Sequence, residues 1–197
     1  VSLVTAVGGD VYGQGILDSC RELGIDMSLA RILPERRSST YLYVTDETGD
    51  MQIGIADMEI TECITPEYLA SRMDEINAFD AVVLDANLSA ESVEYAARHC
   101  TAPIIADPVS TAKAMRLVPV LDKLWAIKPN IYEAEKLTGE HDPEKAAAAL
   151  LDKGVKRVFI SLGEEGMLAA ERGSTVHMPR ELVTVVNTTG AGDAATS

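Results

Sequence analysis

Residues 80–107 read DAVVLDANLSAESVEYAARHCTAPIIAD, and this stretch decides the fold class. Asp80–Asp85 and Pro103–Asp107 are short apolar runs that end in aspartate, which is typical of buried parallel strands. Between them, Ser89 is suited to cap a helix that extends to about His99. Strand, helix and strand together form one βαβ unit. The stretch therefore predicts an α/β fold with a central, mostly parallel sheet flanked by helices.

The same alternation continues on both sides of this unit. We predict further strands at residues 1–7, 124–127, 157–161 and 167–170, and further helices at residues 16–23, 65–77, 130–137 and 142–153. Residues 39–45 and 51–56 are instead rich in β-forming residues around a polar turn, which predicts a β-hairpin. Because the hairpin interrupts the βαβ rhythm, we expect it to form a separate flap. It would belong to an insertion at about residues 28–57 of a single domain that covers residues 1–197.

Composition restricts the classes of partner. The chain has 17 Lys and Arg against 31 Asp and Glu, so its formal charge is −14. No basic surface is available to neutralise phosphates, which excludes a general nucleic-acid binder and disfavours an anionic membrane as a partner. A small anionic ligand stays open, because a few backbone N–H groups and a metal can hold one locally. The three cysteines show no disulfide or zinc spacing, which fits the reducing cytoplasm.

Ligands of open α/β sheets bind beyond the carboxyl ends of the strands. Polar residues and one glycine fall at or just after these predicted ends, namely Asp85, Asn87, Asp107, Lys128, Asn130, Ser161 and Gly163. The sharpest motif is TTGAGDA at residues 188–194. Its two glycines let backbone N–H groups converge on an anion, and a helix that starts at Asp193 would keep that carboxylate ionised. The pair suits phosphoryl transfer, although a plain glycine turn with an aspartate cap is the alternative that such a short motif leaves open.

Four motifs resemble, in order, those of the ribokinase (PfkB) family of carbohydrate and nucleoside kinases. Residues 5–13 resemble the family's G-x-D-x-x-G stretch, and residues 128–135 resemble its N-x-x-E motif. Residues 161–166 are similar to its T-L-G-x-x-G turn, and residues 187–194 to its D-T-x-G-A-G-D signature. The resemblance covers nearly the whole chain and implies a ribokinase-like fold. One departure is Asn187, which stands where the signature usually has aspartate, so we expect an altered charge balance in this loop with activity retained.

The resemblance implies roles for these residues. Asp193 would be the catalytic base that takes the proton from the substrate hydroxyl, and the N–H groups of Gly190, Ala191 and Gly192 would form the anion hole. Asn130 and Glu133 would organise Mg²⁺ through water. The residues expected on the nucleotide side are Lys128, Asn130, Glu133, Ser161, Gly163, Gly166 and Thr188. For Lys128, a solvated side chain is an equally open alternative to a phosphate contact.

The resemblance also implies an ATP- and Mg²⁺-dependent kinase that phosphorylates a primary hydroxyl of a nucleoside or sugar. Residues 49–58 are similar to the lid of the pseudouridine kinases within the family, which favours pseudouridine. Other sugar kinases, of the ribokinase, fructokinase or 2-keto-3-deoxygluconate kinase type, stay open, as do a non-catalytic kinase-like binding protein and a need for a monovalent cation such as K⁺. We expect a homodimer formed through the lid. Because family members are longer at both ends, we also expect residues 1–197 to be an incomplete kinase domain.

Overall fold

A computed structural model describes residues 1–45, 51–180 and 190–196. It divides into two compact units, the first built mainly from residues 1–72 and the second from residues 73–180 and 190–196. None of the helices within the described ranges combines the length and the apolar character needed to cross a bilayer.

The first unit contains a small parallel sheet and a separate hairpin. Its strands and α-helices are β1 (Ala6–Gly8), α1 (Val11–Glu22), β2 (Arg31–Leu33), β3 (Thr40–Thr45), β4 (Met51–Asp57) and the start of α2 (Pro66–Ile76). Strands β1 and β2 pair in parallel, with α1 between them. Strands β3 and β4 pair antiparallel as a sheet of their own, so the predicted hairpin is confirmed. The predicted turn at residues 46–50 lies outside the described residues.

The second unit is an α/β sandwich. Its strands and α-helices are β5 (Val82–Asp85), α3 (Ala90–His99), β6 (Ile104–Asp107), α4 (Thr111–Ala114), β7 (Ala126–Ile127), α5 (Ile131–Thr138), α6 (Pro143–Asp152), β8 (Arg157–Ser161), β9 (Met167–Glu171), β10 (Ser174–Met178) and α7 (Ala191–Thr196). The strand order is β10-β9-β8-β7-β6-β5. Strands β5 to β8 pair in parallel, whereas β9 pairs antiparallel with β8 and β10. The prediction of a mostly parallel sheet is therefore confirmed.

Helix caps position the second unit's loops. The Ser89 hydroxyl accepts a hydrogen bond from the Ser92 N–H at 3.1 Å, so α3 begins where the sequence predicts. Gly139 ends α5 with a φ of +81°, a left-handed conformation that favours glycine. Buried apolar side chains from α3, β6 and β8, among them Val93 and Ile104, form the core between helices and sheet.

The amino-terminal prediction is partly wrong. Residues 1–7 were expected to form a buried strand, but the strand begins only at Ala6 and Val1 is 95% exposed. Ser2 instead forms an isolated parallel bridge with Asp26. Residues 1–7 have the composition of a strand, but a strand also needs a partner for its backbone hydrogen bonds, and β2 provides one only opposite Ala6–Gly8.

Candidate functional site

Three loops meet at the carboxyl ends of β6, β7 and β8. The Lys128 N–H, just after β7, donates to the Ala106 carbonyl of β6 at 3.0 Å. The Ser161 N–H, at the end of β8, donates to the Pro129 carbonyl at 3.0 Å, and Ser161 also forms an isolated parallel bridge with Asn130. These backbone bonds place Lys128, Asn130 and Ser161 side by side at the edge where ligands of such sheets bind.

Asn130 and Glu133 cap helix α5 together. The Asn130 Oδ1 accepts from the Glu133 N–H at 2.9 Å, and the Glu133 Oε2 accepts from the Asn130 N–H at 2.8 Å. This reciprocal capping box satisfies two backbone donors at the helix start. It leaves Glu133 buried, with 5% of its surface exposed, at the same edge of the sheet.

Burial raises the pKa of Glu133 above its ordinary value. The hydrogen bond from the Asn130 N–H and the charge of Lys128 lower this pKa, whereas the charge of Asp107 raises it, and burial prevails. A cation that binds beside a buried carboxylate stabilises the charged form of that carboxylate.

We predict that Glu133→Gln makes the protein more stable at neutral pH. A carboxyl group whose pKa is raised on folding destabilises the folded state once the pH rises through the interval between its unfolded and folded pKa values. Glutamine keeps the capping acceptor and removes the charge. In urea unfolding, the variant's advantage should be present at pH 7 and should shrink as the pH falls towards the ordinary glutamate range. An advantage that grew on acidification would contradict the argument.

Lys128 is buried rather than solvated. Only 6% of its surface is exposed, and its Nζ lies 3.2 Å from the Asp107 Oδ2. The alternative of a solvated lysine is therefore wrong. Lysine is seldom buried without a paired charge, and here the carboxylate at the end of β6 provides one.

The glycine motif leads into a helix beside this ammonium group. Gly190 has a φ of +81°, and α7 begins at Ala191, two residues before the predicted start. Asp193 consequently lies within the first turn of α7, and the N–H groups of Ala191 and Gly192 are among those that lack acceptors inside a helix. A Cβ built on Gly192 would lie 3.8 Å from the Lys128 Nζ, so the ammonium group adjoins the glycine turn. Thr188 and Asn187 lie outside the described residues.

A second glycine turn follows β8. Gly163 and Gly166 have φ values of +61° and +94°, and the Leu162 N–H donates to the Gly166 carbonyl at 2.8 Å. A Cβ on Gly166 would overlap the Met178 carbonyl oxygen. The turn of residues 161–166 thus needs glycine at position 166 and favours it at position 163, and it brings Ser161, Gly163 and Gly166 to the predicted edge.

Two residues complete the cluster without having been predicted as site residues. The sequence identifies Asp107 only as a strand-end carboxylate, and it does not predict Thr196. The Thr196 hydroxyl donates to the Asp107 Oδ2 at 3.0 Å and lies at the same distance from the Gly192 carbonyl oxygen. The position of Asp107 at a strand end was an available signal, whereas no local pattern points to Thr196.

The donor set fits Mg²⁺ and a phosphate group. Within residues 1–45, 51–180 and 190–196, no three histidine, cysteine, aspartate or glutamate side chains converge on one point. Mg²⁺ is usually held by one or two carboxylates together with water and substrate phosphates. Asn130 and Glu133 suit that arrangement, with Lys128 and the N–H groups of the glycine turn available to the phosphate oxygens.

Comparison with known proteins gives the class. The model of the pfkB family of carbohydrate kinases matches residues 1–197, and the chain belongs to this family. Two solved structures share its ribokinase-like fold: a carbohydrate kinase from Agrobacterium tumefaciens (28% identity, TM-score 0.83, 100% of this chain and 65% of that one) and a ribokinase from Thermotoga maritima (25%, 0.84, 98% and 64%).

Among curated proteins, the pseudouridine kinase of Escherichia coli (strain K12) is 34% identical over 199 residues. The match covers 98% of this chain and 64% of the relative. The chain thus spans less than two thirds of the length of this relative.

Proposed function

We propose that the protein is an ATP- and Mg²⁺-dependent phosphotransferase that acts on a primary hydroxyl group of a nucleoside or sugar. One observation carries the proposal: the buried Lys128 ammonium group adjoins the glycine turn that opens α7. A fixed positive charge beside the first N–H groups of a helix suits an anion, and a carboxylate in the same turn suits a base for the attacking hydroxyl.

In this proposal each group has a separate task. The N–H groups of Gly190, Ala191 and Gly192 and the Lys128 ammonium group hold the transferring phosphate, and Asp193 accepts the proton of the substrate hydroxyl. Asn130 and Glu133 hold Mg²⁺ through water, and the bound ion would neutralise phosphate charge. The turn of residues 161–166 lines the nucleotide side, and the family signature assigns Thr188 to the same task.

Pseudouridine is the first acceptor to test. Support comes from the 34% identity to the E. coli pseudouridine kinase and from the resemblance of residues 49–58 to the lid of such kinases. The experiment measures ADP release with ATP and Mg²⁺, in Na⁺ and in K⁺ buffers, for pseudouridine, uridine, adenosine, ribose, fructose and 2-keto-3-deoxygluconate. Turnover of pseudouridine well above the others supports the proposal, and preference for another acceptor corrects the substrate alone. No ADP release with any acceptor contradicts kinase activity, and calorimetry would then test for binding without turnover.

We also propose a homodimer formed through the hairpin. Leu42 pairs with Ile55 and Val44 with Ile53, so these four side chains share one face of the β3–β4 sheet. Each is at least 59% exposed, and an aliphatic face of this kind is typical of a contact surface.

The dimer is tested by light scattering on the wild type and on Ile55→Glu. A carboxylate in the middle of the aliphatic face should halve the mass of the particle, because its burial without a partner is unfavourable. Tyr43→Glu is the matched control, since Tyr43 lies on the same hairpin but its side chain points to the other face. A monomeric wild type, or an equal effect of both variants, contradicts the proposal.

A further inference from the structure

We propose that Asp107 is a positioning residue that acts through Lys128, holding its ammonium group against the glycine turn. This inference rests on the proposed function, because it assigns a task to a group beside the proposed phosphate site. Its evidence is the set of contacts that the two carboxylate oxygens of Asp107 make.

The Oδ2 atom of Asp107 contacts groups that adjoin the proposed phosphate site. It lies 3.2 Å from the Lys128 Nζ and 3.0 Å from the Thr196 hydroxyl. That hydroxyl is also 3.0 Å from the Gly192 carbonyl oxygen, within the turn of α7 that follows the glycines. One carboxylate oxygen thus joins the lysine after β7 to the helix that carries Gly192.

The Oδ1 atom holds the loop after β6. It accepts a hydrogen bond from the Val109 N–H at 2.7 Å. Val109 has a φ of +66°, the left-handed region that β-branched residues rarely adopt. Such a conformation persists where the surroundings impose it, and it is found preferentially at functional sites. The loop therefore fixes the Asp107 carboxylate through Oδ1, while Oδ2 fixes the Lys128 ammonium group.

Burial strengthens the attraction between the charges of Lys128 and Asp107. The side chains of Lys128 and Asp107 are 7% and 17% exposed, so solvent screens their attraction little. A lysine has a long, flexible stem, and an ammonium group without its carboxylate would turn towards water. The carboxylate keeps that stem in one position near Gly192, which is what a group that stabilises developing charge requires.

Asp107→Asn separates the tasks of the two oxygens. The amide oxygen can still accept from the Val109 N–H, and the Thr196 hydroxyl can accept from an amide N–H as readily as it donated. Only the contact with Lys128 becomes unfavourable, because an amide N–H donor then faces the ammonium group. The variant should therefore fold with its loop intact and lose the position of Lys128 alone.

The test is a double-mutant cycle on turnover with Asp107→Asn and Lys128→Met. We expect Lys128→Met to lower kcat about 100-fold, as expected for the loss of one electrostatic contact to the transition state. Asp107→Asn should lower kcat about 10-fold, because a displaced group loses part of that contact. The KM of Asp107→Asn for ATP should change little. The weaker phosphate contact of the displaced Lys128 is offset by the removal of a negative charge beside the phosphate. In the Lys128→Met background, Asp107→Asn should change kcat less than about twofold.

A second measurement does not depend on kinase activity. Amine labelling of Lys128, followed by mass spectrometry and referenced to the exposed Lys145, should be several-fold faster in Asp107→Asn than in the wild type. Equal losses of kcat in both backgrounds, or unchanged labelling, overturn the inference. If the wild type shows no turnover, the proposed function fails and the labelling alone decides about Asp107.

If Asp107→Asn does not fold, Asp107→Glu replaces it. This variant keeps the charge on a side chain one methylene longer, so the pair survives and the ammonium group is displaced. A lowered kcat with an unchanged KM for ATP is expected, and wild-type kcat contradicts the inference.

Discussion

Asp193→Asn should lower kcat by about 10²- to 10⁴-fold, the usual contribution of a general base. Asparagine has nearly the same shape but does not accept the proton of the substrate hydroxyl at neutral pH. Because proton transfer belongs to the chemical step, KM for ATP and for the acceptor should change little. The measurement is steady-state turnover with the best acceptor from the panel, together with far-ultraviolet circular dichroism to verify folding.

The chain offers a matched control in Asp142→Asn. Asp142 also lies at a helix start, where its Oδ1 accepts from the Glu144 and Lys145 N–H groups at 3.0 Å. Asparagine caps helices about as well as aspartate, so this variant should keep both its helix and its turnover. Turnover of Asp193→Asn within a few-fold of the control would contradict the assignment of Asp193 as the catalytic base.

The elements with capping signals were predictable from the sequence. Ser89 and Asn130 cap α3 and α5 as expected, because a cap is a local hydrogen bond between residues two or three positions apart. Strand β10 was not predicted. All five residues of Ser174–Met178 are exposed, so the alternation of buried and exposed side chains that identifies a strand is absent, and only pairing with β9 defines it.

The candidate site divides in the same way. Lys128 and Asn130 follow a predicted strand, and that position alone predicts that they lie at the carboxyl edge of the sheet, where the structure has them. The contact between Asp107 and Thr196 joins residues that are 89 positions apart, and neither spacing nor composition encodes such a pair. The burial of Lys128 was equally invisible, since it depends on that same aspartate. Sequence motifs therefore predict where the candidate site lies, whereas the tertiary contacts that hold its charged groups cannot be predicted from them.

A side chain at one buried glycine should strongly destabilise the first unit. Gly13 is buried in α1, and a Cβ there would overlap the Gly8 carbonyl oxygen and lie 2.8 Å from the Ser38 Oγ. That hydroxyl cannot easily retreat. It donates to the Asp10 Oδ1 at 2.8 Å and accepts from the Gly8 N–H at 3.0 Å. The added methyl group must displace either the end of β1 or this buried network.

We therefore expect Gly13→Ala to lower the free energy of unfolding of the first unit by about 3 kcal/mol, at the upper end of ordinary overpacking costs. Gly15→Ala is the matched control, because Gly15 lies in the same helix, is exposed, and has open space where its Cβ would be. It should raise the free energy of unfolding by about 0.5–1 kcal/mol, since alanine restricts the unfolded chain and favours the helix. Urea unfolding of both variants by circular dichroism measures the two shifts, and midpoints that moved in the same direction would show that the contacts around Gly13 do not constrain this unit.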